Sequence, residues 1–171
     1  MSVSSLPPDL TAVIAPEQPH DAAAVHALVA QAFGPGRLAK AAERLRENNA
    51  PDLGLSFVAK AGGEVVGCVR MWPILIGETP AVLLGPFAVD DAWRSRGLGG
   101  ELIQRACEAA RRQGCSVVLL VGDEPFFRRF GFVEPAAGQV VMPGPVDRRR
   151  LLWLDLAGAP LPSGPVRSGG I

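Results

Sequence analysis

The chain has 171 residues, 48% hydrophobic and 20% charged, a composition that suits a globular domain with a sizeable core and excludes intrinsic disorder. Its basic and acidic residues, 17 of each, cancel to a formal net charge of zero, so no overall field favours nucleic acid or an anionic membrane. The N-terminus has no basic stretch leading into an apolar one, no apolar run is long enough to span a membrane, and the 3 cysteines lack ligand or redox spacing, which points to a reducing cytoplasm.

In chain order, Thr11–Ala15 reads as a short strand ended by Pro16. Asp21 caps an expected helix whose apolar face is Val25, Leu28, Val29, Ala32 and Phe33, stopped at Gly34-Pro35-Gly36. A weaker helix is expected over 37–48, with Leu38, Ala41, Ala42 and Leu45 on one side. Leu55–Ala61 and Glu64–Trp72 flank Gly62-Gly63, a hairpin signal, and Pro73 predicts a bulge or bend before Ile74-Leu75-Ile76. Leu83–Val89 is a buried strand with a plausible bulge at Gly85-Pro86, because proline cannot donate to a ladder. Leu98, Leu102, Ala106, Ala109 and Ala110 recur at helical spacing as far as Gly114, and Ser116–Val121 forms another strand. Short strands are expected at Phe132-Val133 and Val140–Met142, then a final one at Leu151–Leu156. Residues 1–157 read as one domain, and the Gly/Pro/Ser-rich tail from Gly158 to residue 171 as loosely ordered. Arg148-Arg149-Arg150 is too short a run for a nucleic-acid patch and reads as a solvated loop.

The chemistry concentrates in Val89-Asp-Asp-Ala-Trp-Arg-Ser-Arg-Gly-Leu-Gly-Gly100, between a strand and a helix N-terminus. First-turn N–H groups lack intrahelical partners, and the positive end of the helix dipole faces the loop. Gly97 and Gly99 allow close approach of an anion, while Arg94 and Arg96 add charge, so the segment reads as a pyrophosphate cradle. A Walker loop would need Gly-Lys-Ser/Thr, and a dinucleotide loop would place glycine where Arg94 stands.

Arg94-Ser95-Arg96-Gly97-Leu98-Gly99 resembles the acyl-CoA pyrophosphate loop, Gln/Arg-x-x-Gly-x-Gly/Ala, of the GCN5-related N-acetyltransferase (GNAT) superfamily. Gly122-Asp-Glu-Pro-Phe-Phe-Arg-Arg-Phe-Gly-Phe132 resembles the same superfamily's short helix and its closing Gly-Phe. The resemblance covers roughly residues 10 to 157, and the wording around Leu84–Val89 and Val121–Pro125 is most similar to the YhbS-type N-acetyltransferases.

The resemblance implies an α/β domain of the acyl-CoA N-acyltransferase (GNAT) fold, with a mixed, mostly antiparallel sheet splayed at its middle and flanked by helices. It implies acetyl-CoA as co-substrate and no metal. The amine of a small molecule or peptide would attack the thioester directly, with positioning and oxyanion stabilisation as the main contributions. The residues expected at the cofactor are Phe87, Ala88, Val89, Arg94, Ser95, Arg96, Gly97, Leu98, Gly99, Gly100 and Phe127, with Phe87 and Val89 pairing the pantetheine amides.

One departure stands out. The family's usual acid is a tyrosine four residues before the glycine of Gly-Phe, a position held here by Phe127, and the chain contains no tyrosine. Asp123 and Glu78 are the candidate carboxylates for proton relay or for attracting a cationic amine, but Asp123 and Glu124 read more readily as helix caps. His20 and His26 read as structural or surface residues, Cys115 is rejected as a nucleophile, and Trp72 and Trp93 fit either the cleft or the core. The alternative function is a non-catalytic acyl-CoA-binding or regulatory module of the same fold. No nucleic-acid or membrane partner is expected, and both monomer and homodimer fit.

Overall fold

The structure is a computed structural model in which residues 10–33, 41–158 and 160–169 are described. Its elements are β1 Val13–Pro16, α1 Ala22–Phe33, α2 Ala41–Arg44, β2 Phe57–Ala61, β3 Glu64–Ile76, β4 Thr79–Val89, α3 Leu98–Arg112, β5 Val117–Val121, α4 Glu124–Phe127, β6 Val140–Val141, β7 Leu151–Asp155 and β8 Gly164–Ser168. The sheet runs β1-β2-β3-β4-β5-β7, with β8 beside the end of β3 and β6 beside β8. Every pairing along that main path is antiparallel except β4–β5. The result is an open mixed sheet with helices on both faces, the architecture that the resemblance implies.

Strand alternation sorts the core into two layers. Phe57, Ala59, Val69, Met71, Val82, Leu84, Val118 and Leu120 pack with Leu98, Leu102, Ile103 and Ala106 of α3. On the other face, Val58, Cys68 and Ala88 meet Val25, Leu28 and Val29 of α1, while Trp72, Ile74, Leu83 and Leu119 meet Ala41, Ala42 and Leu45. Ala109, expected on the buried side of α3, is half-buried.

The bulge falls where Gly85-Pro86 suggests. Val69 pairs with Phe87 and Met71 with Leu84, so two residues of β4 oppose Arg70 alone. That extra residue reverses the alternation, and Phe87 therefore sits on the α3 face with Leu84. The bulge or bend expected at Pro73 does not interrupt the strand: β3 and its register run on through Pro73, which pairs with Val82. Pro73 turns its carbonyl away from β4, to Gly169 N–H, at a place where β2 has ended and β8 has barely begun. Its missing N–H points the same way, so the ladder to β4 loses nothing.

Three other expectations change. Pro16 belongs to β1, since an edge strand tolerates a residue that cannot donate. The segment from Gly158, expected to be loosely ordered, contains β8, whose Val166 is buried against Ile74 and Ile76. The last turn of α1 is not buried, and Phe33 is 44% exposed. Leu38, Gly34-Pro35-Gly36 and the start of the second expected helix lie outside the described residues. The described part of that helix is short, and the chain turns on through Asn48, whose positive φ of 54° ends it.

Candidate active site

β4 and β5 pair only at Val82–Val118 and Leu83–Leu119, and beyond these residues they part. One reason lies on β5's far side. Gly122 donates its N–H to the Arg150 carbonyl, and Arg150 Nε returns a hydrogen bond to Gly122 O at 3.3 Å, so the end of β5 is held to β7's side. Just past β4, Asp90 donates its N–H to Val66 O of β3. Hydrogen-bonding direction alternates along an antiparallel strand, so the peptide groups of Phe87 and Val89 turn away from β3 and into the gap. The gap opens into a cleft of about 1170 Å³ that reaches from Val29 and Phe33 of α1 to Phe130.

The phosphate-loop candidate lies along this cleft. Asp90 accepts from Ala92 N–H and caps the turn Asp91–Trp93. Ser95 has a φ of 64° and Gly97 a φ of 79°, two left-handed residues that fold the loop under the α3 N-terminus. A side chain at Gly97 would be strained by the backbone, yet a Cβ there would meet no atom within 4 Å. Glu101 N–H is the first-turn donor that reaches back to Gly97 O. The N–H groups before it have no intrahelical acceptor.

Most of the cofactor candidates come together here. Phe87, Ala88, Val89, Arg94, Ser95, Gly97, Leu98, Gly99, Gly100 and Phe127 all line the cleft. Arg94 is 61% exposed and ion-paired with Asp91 at 3.1 Å. Leu98 buries its side chain in the core, so what it offers the cleft is backbone. Arg96 does not line the cleft, and its guanidinium lies over the ring of Trp93, 5.0 Å from the centroid. Trp93 itself is buried and lines the cleft, while Trp72 is buried and donates its indole N–H to Gly85 O.

The two carboxylate candidates separate. Asp123 ends β5 at the cleft and is exposed. It occupies the N-cap position of α4 but makes no side-chain cap hydrogen bond, so the capping reading is not what its side chain does. Glu78 lies in the turn that starts β4, away from the cleft, and pairs with Arg167 of β8 at 3.3 Å. The structure does not bring it to the other candidates.

Phe127 is 6% exposed, ringed by Phe87, Phe126 and Phe132 at centroid distances of 6.1, 5.0 and 5.7 Å. Sequence reasoning did not single out Phe126, Phe130, Arg129, Arg150 or Asp147 as lining the cleft. Phe126 and Phe130 were legible as part of an aromatic run, and Arg129 stacks over Phe126 at 4.8 Å. Asp147 caps the turn Arg148–Arg150, and backbone donation from Arg149, with the Arg149 side chain, holds its carboxyl below the usual range. Arg46 carried no local signal at all: it follows a weak helix and meets the site only through the tertiary fold.

No thiol competes for the chemistry. Burial pushes Cys68 and Cys107 up to about 12, and Cys115, half-buried before β5, is also raised by burial and by Asp52. Among the described residues no cluster of His, Cys, Asp and Glu could hold a metal, and no helix is long and apolar enough to cross a membrane.

Residues 22–132 match the Acetyltransferase (GNAT) family. An uncharacterized N-acetyltransferase of Escherichia coli K12, YjhQ, is 32% identical over 141 residues, covering 78% of this chain and 77% of its own length. A second, YhbS of the same strain, is 33% identical over 118 residues, with 68% and 70% covered. The crystal structure of Escherichia coli YhbS in complex with CoA superposes with a TM-score of 0.76 at 29% identity, covering 95% of this chain and 92% of that one. A GNAT family acetyltransferase from Brucella melitensis in complex with acetyl-CoA gives 0.65 at 26% identity, with 92% and 95% covered. A cleft opened by parted strands at a glycine-started helix, in a chain with these relatives, has one family assignment: the protein belongs to the acetyltransferase (GNAT) family.

Proposed function

We propose that the protein transfers an acetyl group from acetyl-CoA to a primary amine of a small molecule or peptide, by direct attack of the amine on the thioester. The observation that carries this reading is the gap between β4 and β5, into which Phe87 and Val89 turn their peptide groups below the α3 N-terminus. An extended pantetheine arm has amides at a spacing that pairs with such an edge. The open space over Gly97 suits a pyrophosphate, which the first-turn N–H groups and Arg94 would hold. The CoA and acetyl-CoA bound in the two structural relatives support the same choice of co-substrate.

Within this reading each residue has a stated task. The bulge at Gly85-Pro86 marks where the thioester lies, beside the peptide N–H groups that polarise its carbonyl. Asp123, at the mouth of the gap and without a cap bond, receives a proton from the amine through water or draws its ammonium in. Phe127 packs the sulfur end of the cleft and donates no proton, which leaves the departing thiolate to water. A second reading rests on that same residue: with phenylalanine at the acid position, the fold would bind acyl-CoA without efficient transfer.

Calorimetric titration with acetyl-CoA, CoA, ATP and NAD, followed by an amine screen for thiol release, tests both. Saturable binding of acetyl-CoA and CoA, weakened to a similar extent by Arg94→Ala, together with amine-dependent thiol release, is the expected result. Binding without release on any amine would favour the non-catalytic module. No binding by a folded protein would end both readings.

A further inference from the structure

Trp72 of β3 lies one residue beyond the pair Met71–Leu84, and its ring packs in the layer of Ala81, Leu83 and Leu119, on the α2 side of the sheet. From there its indole N–H reaches the carbonyl of Gly85, one of the two β4 residues that oppose Arg70 at the bulge. The bond is buried, and Trp72 itself does not line the cleft, whereas Gly85, Pro86 and Phe87 do. Gly85 has a φ of 138°, a conformation that L side chains rarely adopt, and this lets its carbonyl leave the line of the strand toward the Trp72 layer. The direction of that carbonyl matters because the peptide between Gly85 and Pro86 is a pure acceptor, proline having no N–H. Aimed into the gap, it would face a thioester oxygen and oppose the negative charge that oxygen gains. Turned to Trp72, it leaves the next peptide group, the N–H of Phe87, as the dipole that meets the gap.

We propose that Trp72 is a positioning residue for acyl transfer: it holds the Gly85 carbonyl out of the gap, so that the Phe87 N–H acts unopposed on the thioester oxygen. The proposal rests on the reading of the cleft as an acetyl-CoA site with the thioester beside the bulge. In the step itself, the amine lone pair forms the N–C bond while the carbonyl π pair moves onto oxygen, which accepts from Phe87 N–H. Collapse of this oxyanion breaks the C–S bond. The departing thiolate takes a proton from water, and the proton shed by nitrogen passes through water to Asp123. Trp72 touches none of these atoms. Its contribution is preorganisation, a dipole turned away before charge develops. The same bond satisfies a buried carbonyl, so its loss also lowers stability, and the two consequences can be told apart.

Trp72→Phe removes the indole donor and keeps an aromatic ring, and Trp153→Phe, in the same layer on β7, controls for lost core volume. On an amine found by thiol release, Trp72→Phe should lower kcat about tenfold or more, short of the loss from deleting an oxyanion donor outright. KM for the amine and acetyl-CoA affinity by calorimetry should stay near wild type. Trp153→Phe should keep its kcat while melting earlier. Infrared spectroscopy of bound acetyl-CoA, isotope-labelled at the thioester carbonyl, reads the polarisation without any acceptor. The carbonyl stretch should fall in the wild-type protein relative to free acetyl-CoA, and rise again in Trp72→Phe. A Trp72→Phe protein that melts earlier but keeps the wild-type kcat or the wild-type stretch overturns the proposal, since the bond then only supports the fold. An equal fall of kcat in Trp153→Phe overturns it as well. So does a wild-type stretch equal to that of free acetyl-CoA, a result that needs no variant to fold. Failure of the folded wild type to bind acetyl-CoA would instead remove the reading on which the proposal rests, an outcome that calorimetry identifies by itself.

Discussion

The ring tip of Phe87 comes so close to Gly99 that a Cβ at residue 99 would stand 3.0 Å from Phe87 Cζ. Phe130 does the same at Gly100, at 3.3 Å. The glycines after Gly97 therefore serve packing between β4, α3 and the aromatic run, besides leaving the helix N-terminus open to an anion. Phe87 cannot simply swing away, since Phe126 stacks on it at 5.7 Å and Phe127 meets its edge.

Gly99→Ala should accordingly act through Phe87. Overpacking a filled site costs about 1–3 kcal/mol, which is expected as a lowered melting temperature. The displaced ring borders the gap, so acetyl-CoA affinity should fall several-fold in the same protein. A variant with unchanged melting and unchanged affinity would show that the ring yields freely and that the contact is incidental.

Phe127→Tyr places a hydroxyl at the position where the family usually carries its acid. The ring sits edge-on to Gly122, where a Cβ would come within 2.6 Å, so the aromatic plane is firmly set. With the cleft as its outlet to water, the hydroxyl is expected to raise turnover on an established amine and to add a basic limb to the pH–rate profile. A lower melting temperature with unaltered turnover would mean the hydroxyl is buried without a partner, a cost of about 1–3 kcal/mol, and that protonation of the thiolate is not limiting.

Glu17 and Arg70 form an ion pair at 2.9 Å, with relative exposures of 2% and 6%, and His26 adds a ring nitrogen 3.1 Å from Arg70 Nη1. Arg70 is the β3 residue opposite the bulge, so this pair anchors β1's exit and α1 to the strand that shapes the site. Arg70→Met leaves Glu17 buried and unpaired and should destabilise by about 3–5 kcal/mol in urea unfolding. The double variant Glu17→Gln with Arg70→Met should recover much of that loss. A single variant within about 1 kcal/mol of wild type would show that Glu17 finds water or another partner.

Asp21 sets an acid limit on stability. Burial pushes its carboxyl up, but the ammonium of Lys60 at 2.6 Å and the Gln18 N–H outweigh this and hold it below the usual value. A depressed folded pKa means the unfolded chain binds the proton more readily, so the contribution is present above about pH 4 and is lost as pH falls through the folded pKa. Thermal melts from pH 6 down to pH 2.5 should show Asp21→Asn losing less stability than wild type over that acid range. Parallel curves for the two proteins would dismiss the linkage.

Much of the strand and helix order was legible because it is written in short-range pattern. The period of α3, the Gly62-Gly63 hairpin and the apolar run of β5 each need only neighbours a few residues away. The bulge at Gly85-Pro86 was legible for the same reason, since proline's missing donor is a local fact, whereas Pro73 misled because its effect depends on which strand lies on its N–H side. β8 stayed hidden in a Gly/Pro/Ser-rich segment, its pairing with β3 contributed by residues far away in sequence.

The site divides along the same line. By itself the sequence determined the phosphate-loop candidate, the strand before it and the vacancy of tyrosine at residue 127, because strand, loop and helix N-terminus are contiguous there. Only the tertiary structure decided that Glu78 stands apart with Arg167 and that Arg46 reaches Gly85. These are contacts between segments that the sheet brings together, and a side chain's partner across a sheet is set by register and by the splay of strands, which no local periodicity encodes.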